Sequence, residues 1–143
     1  MLVMNTNATN PLIHEYSVTI RESHLDTFNH VNNAQYLTLF EEARWQVITE
    51  RGFGLREIQQ SGTGPVVLEA NLRFKRELKL REKVTIKTYP PSENGKIATL
   101  KQEMINESGA VACEANFTVA FFDTKARKII SATPEWRKAI GLA

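Results

Sequence analysis

Apolar and polar residues alternate along residues 14–21, which predicts a strand with one buried face. A helical pattern follows at residues 33–51, where apolar side chains recur every three or four positions and no Gly or Pro interrupts until Gly52. Asn32 or Asn33 suits the N-cap of this helix, and Gly52 suits the position just after its end. The pattern therefore predicts one strand followed by one long helix.

Four more strand patterns come after the helix, at residues 66–75, 82–89, 96–105 and 110–122. The first of them places a row of apolar side chains on one face: Val66, Leu68, Ala70, Leu72 and Phe74. The connections are too short for crossovers, so the strands are expected to be antiparallel. Thr133, Pro134 and Gly141 mark the start and end of a short C-terminal helix. We therefore expect an α+β fold, in which five antiparallel strands form a curved sheet around the long helix.

Composition and charge exclude several classes of protein. The 143 residues are enough for a single domain, expected to span residues 1–143 with a loose N-terminus at residues 1–12. A net charge of +2 is too small for a dedicated nucleic-acid binder. The chain shows no secretory signal and no apolar stretch long enough to span a membrane, so we expect a cytoplasmic protein. Its single cysteine and scattered histidines predict no metal site, and no cofactor is expected.

The most informative segment is residues 25–37, which carry an Asp, a His and three Asn just before the long helix. A helix N-terminus leaves about four backbone N–H groups without partners and carries about half a positive charge, so it can polarise a carbonyl group. A carboxylate a few residues earlier can act beside it as a general base or a nucleophile. Asp26 is in that position, although a turn residue making an Asx-type bond would look the same. Asn29 suits a backbone position with positive φ.

This segment and the helix after it resemble the hotdog-fold acyl-CoA thioesterases of the 4-hydroxybenzoyl-CoA thioesterase type, and in particular the bacterial long-chain acyl-CoA thioesterases. The resemblance covers residues 14–122, including the stretch 71–76, and its core is a spaced motif made of Asp26, residues 30–33, residues 36–37 and residues 41–45. It implies the hotdog fold and a homodimer or homotetramer. It also implies hydrolysis of an acyl-CoA, medium- or long-chain, to the free acid and coenzyme A.

The resemblance assigns roles to three residues around the turn. Asp26 matches the catalytic carboxylate, and Asn33 matches the residue whose backbone N–H polarises the thioester carbonyl. His30 would order Asp26 or contact the substrate, unless its ring simply bonds to nearby backbone. Two positions depart from the family pattern: Asn29 stands where many members have Gly, and Glu77 stands where Pro is common.

A basic cluster at the end of a strand, Arg73, Lys75 and Arg76, matches the family's contacts to the coenzyme. Arg and Lys are natural partners for its phosphate groups, although a strand end exposed to solvent would also carry such charges. Three further questions stay open. The substrate carrier is either coenzyme A or acyl carrier protein, and Asp26 acts either as nucleophile or as base. The chain is either a hydrolase, a non-hydrolytic acyl-CoA binding module, or a hotdog dehydratase, for which His30 alone is poor support.

Overall fold

The computed structural model describes residues 13–142, so the predicted loose N-terminus at residues 1–12 lies outside the described residues. A single 3₁₀ turn, Glu22–His24, follows the first strand. The helices and strands, in chain order, are β1 (His14–Thr19), α1 (Asn33–Glu50), α2 (Leu55–Ser61), β2 (Thr63–Phe74), β3 (Lys83–Thr88), β4 (Ser92–Asn94), β5 (Ile97–Ile105), β6 (Val111–Asp123), β7 (Lys128–Ile130) and α3 (Pro134–Ala139).

The strands of the described residues form one antiparallel sheet, in the order β1-β3-β5-β6-β2, with β4 beside β5 and β7 beside β6. The predicted α+β architecture, with a sheet around one long helix and a short C-terminal helix, is confirmed. The strand count differs, because the sheet contains seven strands rather than five. The two additional strands, β4 and β7, have three residues each. A stretch that short carries no measurable alternation, so its pairing cannot be detected from the pattern.

Helix α1 begins at Asn33 because Asn32 is its N-cap: the Asn32 side chain accepts a hydrogen bond of 2.9 Å from the backbone N–H of Ala34. Six residues of the helix are buried against the sheet: Tyr36, Leu39, Phe40, Ala43, Val47 and Ile48. The helix ends before Gly52, whose φ of 88° is in the left-handed region that glycine adopts without strain. The apolar stripe of α1 thereby fills the concave face of the sheet.

The apolar face predicted for β2 is wrong in its first half, because the strand carries a β-bulge. Val67 pairs with Val119, whereas the next pair is Glu69 with Thr118, so Leu68 is an additional residue without its own partner. One extra residue reverses the alternation of side chains. Val67 therefore shares the inner face with Leu72, and Val66 lies on the opposite face.

Helix α3 closes the sheet at the C-terminal end of α1. A second apolar cluster forms there from Val47, Ile48, Phe53, Phe121, Trp136 and Ala139. The Trp136 ring stacks on Phe121 with 5.4 Å between ring centroids and packs edge-on against Phe53 at 5.5 Å. Thr133 caps the helix by accepting a hydrogen bond from the Trp136 backbone N–H, as its position before Pro134 predicts. The short helix is thus held by aromatic packing.

Candidate active site

Residues 25–31 form a tight turn that leads into α1. Leu25 and Val31 pair as an isolated antiparallel bridge, and inside it the Asp26 N–H donates to the His30 carbonyl oxygen at 2.9 Å. Asn29 donates to the Asp26 carbonyl oxygen at 3.2 Å and has a φ of 64°, which is the positive value that its residue type predicts. The backbone therefore holds Asp26 at a defined position just before the helix.

The two oxygens of the Asp26 carboxylate differ in their contacts. Its Oδ1 atom accepts hydrogen bonds from the backbone N–H groups of Phe28, at 2.8 Å, and His30, at 3.4 Å. This is the Asx-type bond that is expected if Asp26 serves as a turn residue. Within residues 13–142, no donor reaches the Oδ2 atom of Asp26. One oxygen of the carboxylate therefore holds the turn, and the other is available for chemistry.

The first backbone N–H of α1 is also available. The Ala34 N–H donates to the Asn32 side chain and the Gln35 N–H donates to the Asn32 carbonyl oxygen, each at 2.9 Å. The Asn33 N–H, by contrast, meets no acceptor among the described residues. It lies at the positive end of the helix dipole, seven positions after Asp26 in the chain. A carbonyl oxygen placed there would be polarised by a fixed donor.

The His30 ring does not bind Asp26. Its Nε2 atom lies 2.6 Å from Oε2 of Glu77, and both side chains are about half exposed. The contact between His30 and Asp26 runs instead through the His30 backbone N–H. Glu77 is a residue that sequence reasoning missed as a member of this site. The signal that could have found it was its departure from the proline that is common at this position in similar chains.

The segment after β2, residues 75–82, is fixed to the turn at residues 25–31 at several points besides His30. The Val31 N–H donates to the carbonyl oxygen of Leu78 at 3.2 Å, and the Leu78 side chain is fully buried. The rings of Tyr36 and Phe74 pack edge-on with 5.1 Å between centroids, which joins the end of β2 to the first turn of α1. Burial raises the pKa of Tyr36 to about 12, so its phenol stays neutral.

The predicted basic cluster lies at this same end of β2. Arg73, Lys75 and Arg76 are all exposed, and the backbone N–H groups of Lys75 and Arg76 both donate to the Ala112 carbonyl oxygen, at 2.9 and 3.0 Å. The Lys75 ammonium lies 3.3 Å from a carboxylate oxygen of Glu114. Glu77, the residue after Arg76, contacts His30, so this end of β2 adjoins the turn that carries Asp26.

The other chemically active side chains are not arranged as a second centre. Cys113 is fully buried, and burial raises the pKa of its thiol to about 12, so it is an inert core residue as expected. No group of three His, Cys, Asp or Glu side chains within residues 13–142 is placed to hold a metal ion. Over the same residues, no helix has the length and apolar character needed to cross a membrane.

The chain is similar to known proteins in family, in sequence and in structure. The family model of the thioesterase-like superfamily matches residues 18–140. The long-chain acyl-CoA thioesterase FadM of Escherichia coli is 32% identical over 124 residues, covering 86% of this chain and 93% of that protein. The crystal structure of YbaW, a probable thioesterase from Escherichia coli, superposes with a TM-score of 0.78 at 29% identity, covering 89% of this chain and 98% of that one.

A more distant structure shares the fold alone. The hypothetical protein SAV2348 from Staphylococcus aureus, solved in complex with CoA, superposes with a TM-score of 0.84 at 19% identity, covering 94% of this chain and 85% of that chain. The same arrangement of sheet and helix therefore persists at low sequence identity.

Proposed function

The chain belongs to the thioesterase-like superfamily and is a thioester hydrolase acting on acyl-CoA, and we propose that it releases long-chain fatty acids at the turn before α1. The observation that carries the catalytic assignment is the pairing of two available groups at one helix end. These are the Oδ2 atom of Asp26 and the backbone N–H of Asn33. Acyl carrier protein as the substrate carrier, and a binding module without hydrolysis, are not favoured.

The two groups divide the chemistry of hydrolysis between them. The thioester carbonyl oxygen accepts a hydrogen bond from Asn33 N–H, which stabilises the negative charge that develops during attack. Asp26 either removes a proton from the attacking water or attacks the carbonyl carbon itself, forming an anhydride that water then opens. Coenzyme A leaves as a thiolate in both routes. In a single turnover in water enriched in heavy oxygen, label found in Asp26 establishes the anhydride route, because the base route places the label in the released acid alone.

His30 acts as a positioning residue in this proposal. Its backbone N–H donates to the Asp26 carboxylate, and its carbonyl oxygen accepts from the Asp26 N–H, which completes the turn. Its ring contacts Glu77 on the neighbouring segment. The side chain therefore orients the loop rather than exchanging a proton with the substrate. A direct contact between His30 and the substrate, which the sequence left possible, is not part of this proposal.

The substrate assignment is tested by measuring thiol release from a series of acyl-CoAs and from the matching acyl carrier proteins. The long-chain preference follows the relative of nearly equal length, which is a long-chain acyl-CoA thioesterase. We expect kcat/KM to rise with chain length and to be higher for coenzyme A than for the carrier protein. A preference for short or aromatic acyl groups would contradict the long-chain proposal and leave the hydrolase assignment intact.

We propose that Lys75 and Arg76, together with Arg73, bind the phosphate groups of coenzyme A. Replacing Lys75 and Arg76 with Ala should raise the KM for acyl-CoA about tenfold while changing kcat little, since contacts to a remote phosphate act equally on substrate and transition state. The effect should shrink at high salt, because exposed charges are screened. Steady-state kinetics at low and high ionic strength measures both expectations.

A short thioester without the nucleotide provides the control for this prediction. Its hydrolysis should be almost unaffected by the double substitution, and Lys128→Ala, an exposed lysine on the distant strand β7, should change neither substrate. Equal losses on acyl-CoA and on the short thioester would show that these cations support the fold and that coenzyme A is held elsewhere.

We propose a homodimer, or a tetramer of two such dimers, built through strand β2. This strand has 12 residues and lies at the end of the sheet, paired with β6 on one side only. Its side chains include Val67 and Leu68, which are 48% and 49% exposed. A long apolar edge strand is prone to pair with another chain. Pairing β2 with β2 of a second copy would continue the sheet and bring the two catalytic turns near the seam.

Placing a charge on this edge should weaken the assembly. Leu68→Lys is expected to shift the protein from dimer to monomer at micromolar concentration, as measured by light scattering, because lysine on an edge strand opposes pairing. Ile97→Lys is the matched control: Ile97 is similarly exposed, at 40%, and lies on β5, which has strand partners on both sides. A wild-type protein that is monomeric and fully active would refute the proposed interface.

A further inference from the structure

A cavity of about 190 Å³ lies beneath the C-terminal half of α1, away from the catalytic turn. Six elements contribute to its wall: α1, β2, β3, β5, β6 and α3. The apolar side chains that matter for its shape are Trp45, Ile48, Val67, Val119, Trp136 and Ile140. Neither the turn chemistry nor the proposed coenzyme contacts use this cavity.

We infer that this cavity binds the distal hydrocarbon part of the acyl chain, and that Trp136 and Ile140 near the C-terminus determine how long a chain fits. The inference rests on the proposed acyl-CoA hydrolysis and extends it to the part of the substrate furthest from the thioester. An apolar cavity of ~150 Å³ is large enough to hold a benzene ring. The present cavity therefore has room for a chain segment of at least about six carbon atoms.

Arg44 and Thr88, two polar residues at the cavity wall, are both bonded to Gln102 behind it, which argues for a hydrocarbon ligand. Arg44 donates from Nη1 to Oε1 of the fully buried Gln102 at 3.0 Å, and its guanidinium lies 4.2 Å from the centroid of the Phe117 ring. The amide nitrogen of Gln102 in turn donates to the Phe40 carbonyl oxygen at 3.1 Å and to Thr88 at 2.9 Å. A ligand carrying its own polar group would have to compete with these bonds.

The cavity has a rigid end and an open end. Trp136 forms the rigid end, because its ring is buried and clamped between Phe53 and Phe121. At the other side, Trp45 and Val67 are partly exposed where α1 passes the free edge of β2. A chain that enters at the β2 edge would therefore stop against α3.

The symmetry of the proposed dimer explains how a chain reaches this opening. Asn33 and Trp45 are ~18 Å apart along α1 at 1.5 Å per residue, so the cavity does not adjoin the thioester site of its own protomer. Antiparallel pairing of β2 with its copy places a two-fold axis perpendicular to the sheet. The two α1 helices then run in opposite directions. The N-terminus of one helix thereby lies at the same end as the cavity under the other.

The inference is tested by measuring kcat/KM against acyl chain length for two variants, one that narrows the cavity and one that enlarges it. Ile140→Phe should reduce kcat/KM for oleoyl-CoA at least about tenfold more than for hexanoyl-CoA, because a misfit of one or two methylenes has an effect of that size. Trp136→Leu should move the preferred acyl chain towards greater length. Ile129→Phe is the control, because Ile129 lies on β7 and does not line the cavity.

Equal losses at every chain length for Ile140→Phe, matched by those of Ile129→Phe, would overturn the inference. Thermal melting shows whether the Trp136→Leu protein folds. If it does not fold, the comparison of Ile140→Phe with Ile129→Phe still tests whether the cavity holds the acyl chain. Calorimetry with hexadecyl-CoA and butyl-CoA thioethers, which cannot be hydrolysed, keeps the test independent of catalysis. If no acyl-CoA is hydrolysed, the proposed function fails. The cavity assignment is still supported if Ile140→Phe weakens binding of the hexadecyl thioether and not of the butyl thioether.

Mixed dimers show which protomer holds the chain. A dimer of one Asp26→Asn subunit and one Ile140→Phe subunit has a working carboxylate in one copy and an open cavity in the other. We expect this dimer to retain about half of the wild-type activity on oleoyl-CoA, since one of two sites remains complete. Long-chain activity of only about half that of the Ile140→Phe homodimer would overturn the crossing between protomers, because the single intact carboxylate would then face a narrowed cavity.

Discussion

Replacing Asn33 with proline is expected to lower kcat by about 100-fold or more while leaving the fold intact. Proline is well tolerated at the first position of a helix, where the missing N–H has no helical acceptor and the fixed φ suits the helix. Asn32 already has the extended backbone, with φ of −61° and ψ of 140°, that a residue before proline requires. The substitution therefore removes one donor from the proposed oxyanion site and little else.

The matched control for this variant is Asn33→Ala, which changes the side chain and retains the backbone N–H. It should keep most of the wild-type kcat, because the Asn33 side chain is exposed and the capping bond belongs to Asn32. Circular dichroism and thermal melting verify that both proteins are folded. If the proline and alanine variants turn over acyl-CoA equally, the Asn33 N–H does not stabilise the transition state.

Asp26→Asn is expected to cause a loss of kcat of the same order, about 100-fold or more, because the amide is neither a base nor a nucleophile at neutral pH. The turn should survive, since the amide oxygen can accept the bond from the Phe28 N–H that Oδ1 accepts in the wild type. The measurement is single-turnover hydrolysis of a long-chain acyl-CoA, which excludes effects on product release.

Asp123→Asn is the control for the structural part of that change. The Oδ1 atom of Asp123 accepts from the backbone N–H groups of Lys125 and Ala126, at 2.9 and 3.0 Å, and therefore caps a turn in the way that Asp26 does. These two bonds hold the pKa of Asp123 below its ordinary value. Asp123→Asn should leave kcat unchanged, and comparable losses in both variants would assign the effect to turn geometry rather than to catalysis.

The parts of the fold that depend on local sequence could be predicted. Alternation and helical spacing located the five long strands and α1. The residue types alone indicated a helix cap at Asn32 or Asn33, the positive φ of Asn29 and the boundaries of α3. These features are determined by contacts within a few residues, so a single sequence is sufficient. The candidate site was found for the same reason, because Asp26 and Asn33 lie in one short segment.

The remaining features depend on contacts between distant segments. The bulge at Leu68 reverses the faces of β2, and a continuous apolar run gives no sign of where the extra residue lies. The pairing of His30 with Glu77 joins two loops that are far apart in the chain. The cavity is lined by six elements, none of which shows an unusual pattern alone. Such features follow from the sheet order, which short-range patterns do not contain.

Gln102 has a consequence for the position of the proposed oxyanion site at the start of α1. It is anchored in β5 and bonds simultaneously to the Phe40 carbonyl oxygen, in the middle of α1, and to Thr88 on β3. If α1 slid or rotated by one residue, a wholly buried amide would lose its partners, which costs about 1–3 kcal/mol. Gln102 therefore fixes the position of α1 relative to the sheet near the middle of the helix. Because a displacement of about 1 Å at a reacting group lowers a rate by about 100-fold, these bonds in the core govern the alignment of Asn33, which lies about two turns of helix before Phe40.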